Sequence, residues 1–479
     1  MITQIPFDDD ITKDMYETRE GKEGKVIFTY SPMTTHGAAE GVLQPATYNE
    51  TLYYFNRQTG LYEANNGVIE AWLQTQYTEL ILQDILPTST TLKPKIAEII
   101  FRLTNSNPMP KDAYPFNQYN GIPVNNGVLV YKDGIFVLNP YEEEMMFTRK
   151  IPVNFNPGAD TERIRQILMD WLEEDYPYLI QIPAQALYQA LPGMQPMKKA
   201  YMLVGESNAA KSTYLDLLKD FFGEGQCSKV PLQNLGARFS KADLVNKFVN
   251  LGDDLPDIDI GAFNILKDIT GGRTHQVELK HKDAFTADIT AVHVYAANKP
   301  PGLSEKIETD NAWWDRWVFL RFKNTFPKKA NWYKENIIPN LEGFLLLVLE
   351  ELSCIIKNGG QLQYVQPMED VLDMWKRDSD PLLRFIDEEC ERDRDQYIQK
   401  DELFETLEKW KDNISDKLER TDIEKRLPKT KEALSRKLIQ YNIQASTAGS
   451  GKNKIQVYRG IGWKKYSQFR PRETVNSKL

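Results

Sequence analysis

The chain is poor in the residues that staple a fold or hold a metal. Of its 479 residues, three are cysteine and four are histidine. Cys227, Cys354 and Cys390 lie far apart and share no ligand-type spacing. This excludes a disulfide framework and a zinc site, and points to reduced thiols inside a cell. No apolar run is long enough to span a bilayer, so no membrane partner is expected. The N-terminus, with Asp8-Asp9-Asp10, lacks the pattern of a secretory signal, and a cytoplasmic location is the expectation. There is no basic excess either. The net charge of −9 excludes a uniformly basic surface but leaves room for a local basic channel. From Lys417 onward, Lys and Arg outnumber Asp and Glu about three to one, an asymmetry that suggests a tail facing nucleic acid. The length suggests about three domains.

What the chain does have is a phosphate-loop segment, Tyr201-Met-Leu-Val-Gly-Glu-Ser-Asn-Ala-Ala-Lys-Ser-Thr213. An apolar strand ends at Gly205, and six residues later Lys211 is followed by Ser212 and Thr213. Backbone N–H groups of such a loop, Gly205, Glu206, Ser207, Asn208, Ala209, Ala210, Lys211, Ser212 and Thr213, can surround the phosphates of ATP. The lysine reaches the outer phosphates and the Ser212 hydroxyl ligates Mg²⁺. The usual glycine before the lysine is Ala210 here, a methyl that is tolerable at negative φ and harmful otherwise. Tyr214, Leu217, Leu218 and Phe221 then recur at helical spacing, and Gly223 is the expected stop.

Residues 1–45 are polar with little apolar periodicity and read as a flexible arm. Residues 46–196 read as an α+β domain. Its hairpins turn at Gln58-Thr-Gly60 and Lys132-Asp-Gly134, and helices are expected over 68–82, 93–103 and 163–174. Residues 197–350 read as an α/β core with strands at 200–204, 248–251, 292–296 and 318–322. Residues 351–379 form a helical linker. In residues 380–479, three helices followed by a glycine-tipped basic hairpin suggest a winged helix that binds DNA.

Four further features bear on chemistry. Asp253 and Asp254 follow the second core strand, where one acid can hold Mg²⁺ through water and the other can polarise the attacking water. Asn298 ends the third strand, where an amide can sense a γ-phosphate. Arg316 precedes the fourth, where a guanidinium can reach a neighbouring subunit's ATP. Between strands two and three, Val277 and Leu279, then Phe285, Ala287 and Ile289, alternate as a hairpin with Lys280, His281 and Lys282 at its tip. Such a tip can grip a phosphate backbone. Each feature alone has a plain reading as a turn, an ion pair or a solvated charge. Their order along one chain is what gives them weight.

Together these motifs resemble superfamily-3 helicases, most nearly the helicase part of phage, plasmid and poxvirus-type primase–helicases. Phe239-Ser-Lys-Ala-Asp-Leu-Val-Asn-Lys247, Phe263-Asn-Ile-Leu-Lys267 and Asp315-Arg-Trp317 look like pieces of that family. Asn126-Gly-Val-Leu129 and Arg149-Lys-Ile-Pro-Val153 look like the domain that precedes its ATPase. The resemblance spans about Tyr53 to Tyr466. It implies a multidomain protein with an AAA+-like P-loop core and a homohexameric ring moving 3′→5′ on single-stranded and forked DNA. It implies Lys211, Asp253, Asp254, Asn298 and Arg316 as catalytic residues, Ser212 and Asp253 at the metal, and Lys280, His281 and Lys282 on DNA. The chain departs from the family at Ala210 and at the short Asp254. The first fifty residues are too short for a primase, so a separate primase and origin DNA are expected partners. The readings kept beside this one are a DNA-binding initiator switched by ATP with little or no unwinding, and a small-molecule P-loop kinase.

Overall fold

The computed structural model describes residues 9–22, 25–106, 108–110, 114–253, 263–278, 280, 284–301, 310–414, 420, 423–424, 426–449, 454–465 and 467. The chain forms two compact units. The first comprises Met1–Leu255, Gly261–Asn298 and Leu320–Val365, and the second Pro256–Ile260, Lys299–Phe319 and Gln366–Leu479. The fold is multidomain α/β with a parallel sheet. No helix among the described residues is long and apolar enough to cross a membrane.

Unit 1 begins with a correction. The segment expected as a flexible arm is folded from Asp9 onward. Strands β1 (Tyr16–Glu20) and β2 (Val26–Tyr30) pair antiparallel, and helix α1 (Pro32–Leu43) follows. Ser31 caps α1 by accepting from Thr34 N–H, and Pro32 opens it. Ile11, Met15, Ala39 and Leu43 enter one core with Leu52, Trp72, Tyr77 and Ile99. Four anchors spread over so many residues leave no periodic signal, yet each is almost fully buried.

Strands β3 (Ala46–Tyr48), β4 (Thr51–Asn56) and β5 (Leu61–Glu63) form a meander. Helices α2 (Asn66–Leu82) and α3 (Leu92–Ser106) follow, then a second meander of β6 (Ile122–Val124), β7 (Gly127–Lys132) and β8 (Ile135–Asn139). Both expected hairpin turns are where the glycines put them. Helix α4 (Glu162–Leu172) buries Ile164, Ile167, Leu168 and Trp171 as its periodicity requires.

The central sheet has the order β10-β11-β14-β9-β15, with β9 (Ala200–Gly205), β10 (Cys227–Ser228), β11 (Val249–Gly252), β14 (Val292–Ala297) and β15 (Trp317–Phe322). β10, β11, β14 and β9 are parallel to one another. Their residues are buried nearly throughout, the polar Asn250 and His293 included, as in strands covered on both faces. Helix α6 (Lys211–Phe222) packs against β9, and α5 (Pro177–Ala190) packs against β14. Helix α7 (Phe263–Gly271) leads into the hairpin β12 (Thr274–Val277) and β13 (Phe285–Asp288).

Helix α5 is buried nearly all round, and its polar positions face inward. Gln181 exchanges two backbone hydrogen bonds with Tyr364. Gln185 accepts from the Tyr201 hydroxyl at 2.6 Å and donates to Lys199 O. Gln189 accepts from Met197 N–H and donates to Thr290 O. Gln185 and Gln189, one turn apart, satisfy backbone groups just before β9 and β14, so the strand carrying the phosphate loop is fixed from its first residue.

Unit 2 holds a short helix, Asn311–Trp314, and an aromatic cluster of Trp313, Trp314, Trp317, Phe319 and Trp375. After Pro381–Glu389 come the short strands β16 (Cys390–Glu391) and β17 (Tyr397–Gln399), then helices Lys400–Asp412 and Lys431–Gln440, then β18 (Gln444–Ala448) and β19 (Ile455–Arg459). The strand order is β17-β19-β18, all antiparallel. Leu382, Phe385, Leu403, Leu407, Leu434 and Leu438 form the core beneath.

Candidate functional site

β9 delivers the chain to a tight loop at the C-terminal end of the parallel sheet. A Cβ on Gly205 would lie 2.4 Å from Phe322 O, so only glycine lets these two backbones approach. Asn208 and Ala210 both have left-handed backbones, at φ 64° and 72°. Asparagine tolerates that conformation; alanine does so at a cost. Of the two outcomes open for Ala210, the structure has the unfavourable one. The loop is closed by Ala209 N–H on Glu206 O and tied outward by Phe326 N–H on Asn208 O. Alternating residues of this kind turn successive N–H groups toward one concavity, and α6 starts there with no side-chain cap.

Lys211 is the first residue of α6 and is buried. Its ammonium donates to Gly205 O at 2.6 Å, to Glu206 O at 2.8 Å and to Asn298 Oδ1 at 3.2 Å. Two residues predicted from separate motifs therefore meet. They meet because β14 lies directly beside β9, with Ala297 opposite Val204. Ser212 is exposed one position further on.

β14 also pairs with β11, with Gly252 opposite Tyr295, so Asp253 leaves its strand at the same end of the sheet. Asp253 is exposed there. Asp254 lies outside the described residues. Below these carboxyl ends sits a network the sequence reading missed. Asn250 accepts from Ser228 Oγ and Val230 N–H, donates to Val230 O, and lies 3.1 Å from the Tyr295 hydroxyl and 3.2 Å from His293 Nδ1. All three side chains are fully buried, and burial pushes the His293 imidazole down to about 4. The neutral ring accepts at Nδ1, and the network locks β10, β11 and β14 in register.

The hairpin β12–β13 has the expected alternation: Val277 and Ala287 are buried and their neighbours less so. Lys280 is exposed, and its ammonium lies 5.9 Å from the centre of the Phe239 ring. Leu279, His281 and Lys282 lie outside the described residues. In unit 2, Arg316 lies two residues past the helix Asn311–Trp314, after its C-cap Asp315, and donates to Ala312 O. Its guanidinium is partly buried, which lowers its pKa, while Asp315 and Asp310 oppose that shift. Trp313 and Trp317 flank it in sequence and stack edge-to-face on each other, fixing its backbone.

Residues 45–173 match a family described as D5 N terminal like, and residues 203–316 match a family of unknown function (DUF5906). No curated protein matches the chain. Among solved structures, the chain is similar to the apo structure of the NrS-1 C terminal region. The identity is 14% and the TM-score 0.44, with 87% of this chain and 96% of that chain covered. The A form apo structure of that region is 13% identical, at a TM-score of 0.44, with 90% and 99% covered.

Proposed function

We propose that the chain is an ATP-driven replicative DNA helicase, assembled as a homohexamer and moving on single-stranded DNA, for a virus, phage, plasmid or other mobile element. The observation that carries this reading is the contact of Lys211 with Asn298 at the carboxyl edge of a parallel sheet. It joins a cation and a polar amide beside the loop, with Asp253 leaving the next strand beyond.

These residues fit a nucleoside triphosphate with Mg²⁺. The left-handed Asn208 and Ala210 and the uncapped start of α6 form an anion cradle. In this reading Lys211 leaves the Gly205 and Glu206 carbonyls and takes the outer phosphates. Ser212 and Asp253 hold the metal, and Asp254 orients the attacking water. Asn298 tracks the charge that Lys211 carries. Arg316 supplies a second positive charge to the site of an adjacent subunit. The bound triphosphate provides the free energy, and Lys280, His281 and Lys282 transmit it to the DNA backbone.

The match of residues 45–173 to a D5 N-terminal-like family supports the primase–helicase side of the reading, since that segment stands just before the phosphate loop. The C-terminal region is read as a winged helix. The support is its order of helix, strand, two helices and hairpin, with strands β17-β19-β18. A location in the cytoplasm of the element's host and a separate primase belong to the same proposal.

The second reading, an initiator with ATP as an assembly switch, is favoured by one observation. Ala210 is left-handed, and Lys211 already has carbonyl partners, so the loop resists reorganisation. Unwinding of a forked DNA, measured for wild type and Lys211→Ala, decides between them. ATP-dependent strand separation lost in the variant supports the helicase. ATP-dependent DNA binding without separation transfers the conclusion to the initiator.

A further inference from the structure

Arg149 is a cation buried without an anion. Its residue is 7% exposed, its Nη1 has no hydrogen-bond partner, and it makes no ion pair among the described residues. It stands over the face of Phe248, 4.3 Å from the ring centre to the guanidinium carbon, while Tyr114 favours its charge and Arg273 opposes it. A desolvated cation–π contact contributes less than the burial of an ion costs. The ring does not balance that cost, and burial accordingly lowers the arginine to about 10. A buried group this poorly matched calls for a partner that the chain does not itself supply.

The side chain lines a small cleft, open to solvent, whose polar members include Asn117, Gln118, Arg273, Asp288 and Thr290 and whose apolar side includes Tyr114 and Phe116. Arg273 is already satisfied. Its Nε pairs with Asp288 at 2.6 Å, and Nη1 donates to the carbonyls of Gln189, Leu191 and Met194. Asp288 also accepts from Thr274. The cleft's carboxylate is thus committed to the second guanidinium, and the wall retains one uncompensated positive charge, on Arg149. Amide and hydroxyl groups line part of the wall, and apolar side chains the rest. The cleft is built from the segment before the phosphate loop and from the β12–β13 hairpin, at residues distinct from Lys211 and its loop.

We propose that Arg149 and this cleft form an oxyanion site of the phosphate class, separate from the phosphate loop. Arginine's planar fork suits two oxygens of one tetrahedral anion, and the amide and hydroxyl groups on one part of the wall suit the remainder. The cleft admits a free ion or the terminal phosphate of a larger molecule.

The test uses the full chain carrying Lys211→Ala, so that the phosphate loop does not report. Thermal unfolding is followed against inorganic phosphate and, in a second arm, glycerol 3-phosphate, with chloride at equal ionic strength as reference. The midpoint is expected to rise saturably with phosphate and not with chloride. Arg149→Met on the same background is expected to weaken the apparent affinity at least tenfold. It should also be no less stable than its parent in phosphate-free buffer, because it removes an unpaired buried charge. Arg149→Lys keeps the charge but loses the fork, and is expected to fall between them. A response to glycerol 3-phosphate matching that to phosphate assigns the site to a phosphate carried by a larger molecule. An unchanged phosphate response in Arg149→Met or Arg149→Lys overturns the proposal. So does a rise reproduced by chloride.

Discussion

Lys211 Nζ lies 3.2 Å from Asn298 Oδ1, across the gap between two neighbouring parallel strands. The contact makes the amide sensitive to where the lysine's charge goes. Asn298→Ala is expected to leave nucleotide affinity within a few-fold of wild type and to lower steady-state ATP turnover roughly 10²-fold, the scale of a lost polar stabiliser in a preorganised site. Lys211→Ala is expected to lose binding itself. Titration with a fluorescent nucleotide, beside phosphate release, separates the two effects. Equal losses of affinity in both variants would remove Asn298 from the chemistry.

Ala210 has φ 72°. For an L-residue this conformation costs about 1–2 kcal/mol, whereas glycine pays roughly 0.5–1 kcal/mol in entropy instead. Ala210→Gly is therefore expected to stabilise the fold by about 0.5 kcal/mol or slightly more, and Ala210→Val to destabilise it. Urea midpoints of unfolding check both. A lower midpoint for Ala210→Gly would show that the loop is not strained there.

The opposite holds at Gly205, whose missing Cβ is needed by Phe322 O. Gly205→Ala forces the backbones of β9 and β15 apart. It is expected to cost about 2 kcal/mol or more and to weaken nucleotide binding in parallel. Wild-type stability in that variant, read from the same urea curves, would contradict the close approach.

His293 is neutral in the fold, with its pKa at about 4 against an ordinary 6.5. In the window between these values the unfolded chain binds the proton and the folded chain does not. The contribution to stability is full above pH 6.5 and is lost as pH falls toward 4, amounting to about 3 kcal/mol. Denaturation midpoints of wild type should fall over that window more steeply than those of His293→Asn. Parallel pH profiles would assign the acid sensitivity to other groups.

The parts of this protein that were legible in the sequence are those whose signal is local. The runs 200–204, 248–251, 292–296 and 318–322 became β9, β11, β14 and β15 because strands covered on both faces need mostly apolar sequence, with Asn250 and His293 the buried polar exceptions. The glycine turns fixed both hairpins for a similar reason. Helix α5 was not legible, because Gln181, Gln185 and Gln189 point inward to satisfy backbone ends and break the apolar stripe. The folded N-terminal segment was missed because its anchors, Ile11, Met15, Ala39 and Leu43, are too widely spaced for any periodic window. The Asn250–His293–Tyr295 network and the isolation of Arg149 depend on what lies across the sheet, which no single stretch of sequence encodes.

Arg316 follows the helix Asn311–Trp314, with Trp313 and Trp317 packed together on either side of it in sequence. A residue with such rigid neighbours suits a charge delivered to a fixed point rather than a mobile surface arginine. If that point is a neighbouring subunit's phosphate loop, Arg316→Ala binds ATP normally but turns it over at a rate reduced roughly 10³-fold or more. Two inactive proteins then complement each other. In a mixture of Lys211→Ala and Arg316→Ala subunits, some interfaces join an intact Lys211 to an intact Arg316, and ATPase activity reappears where neither protein alone has any. If mixing and re-equilibration restore nothing while both variants retain their assembly state, Arg316 does not act between subunits.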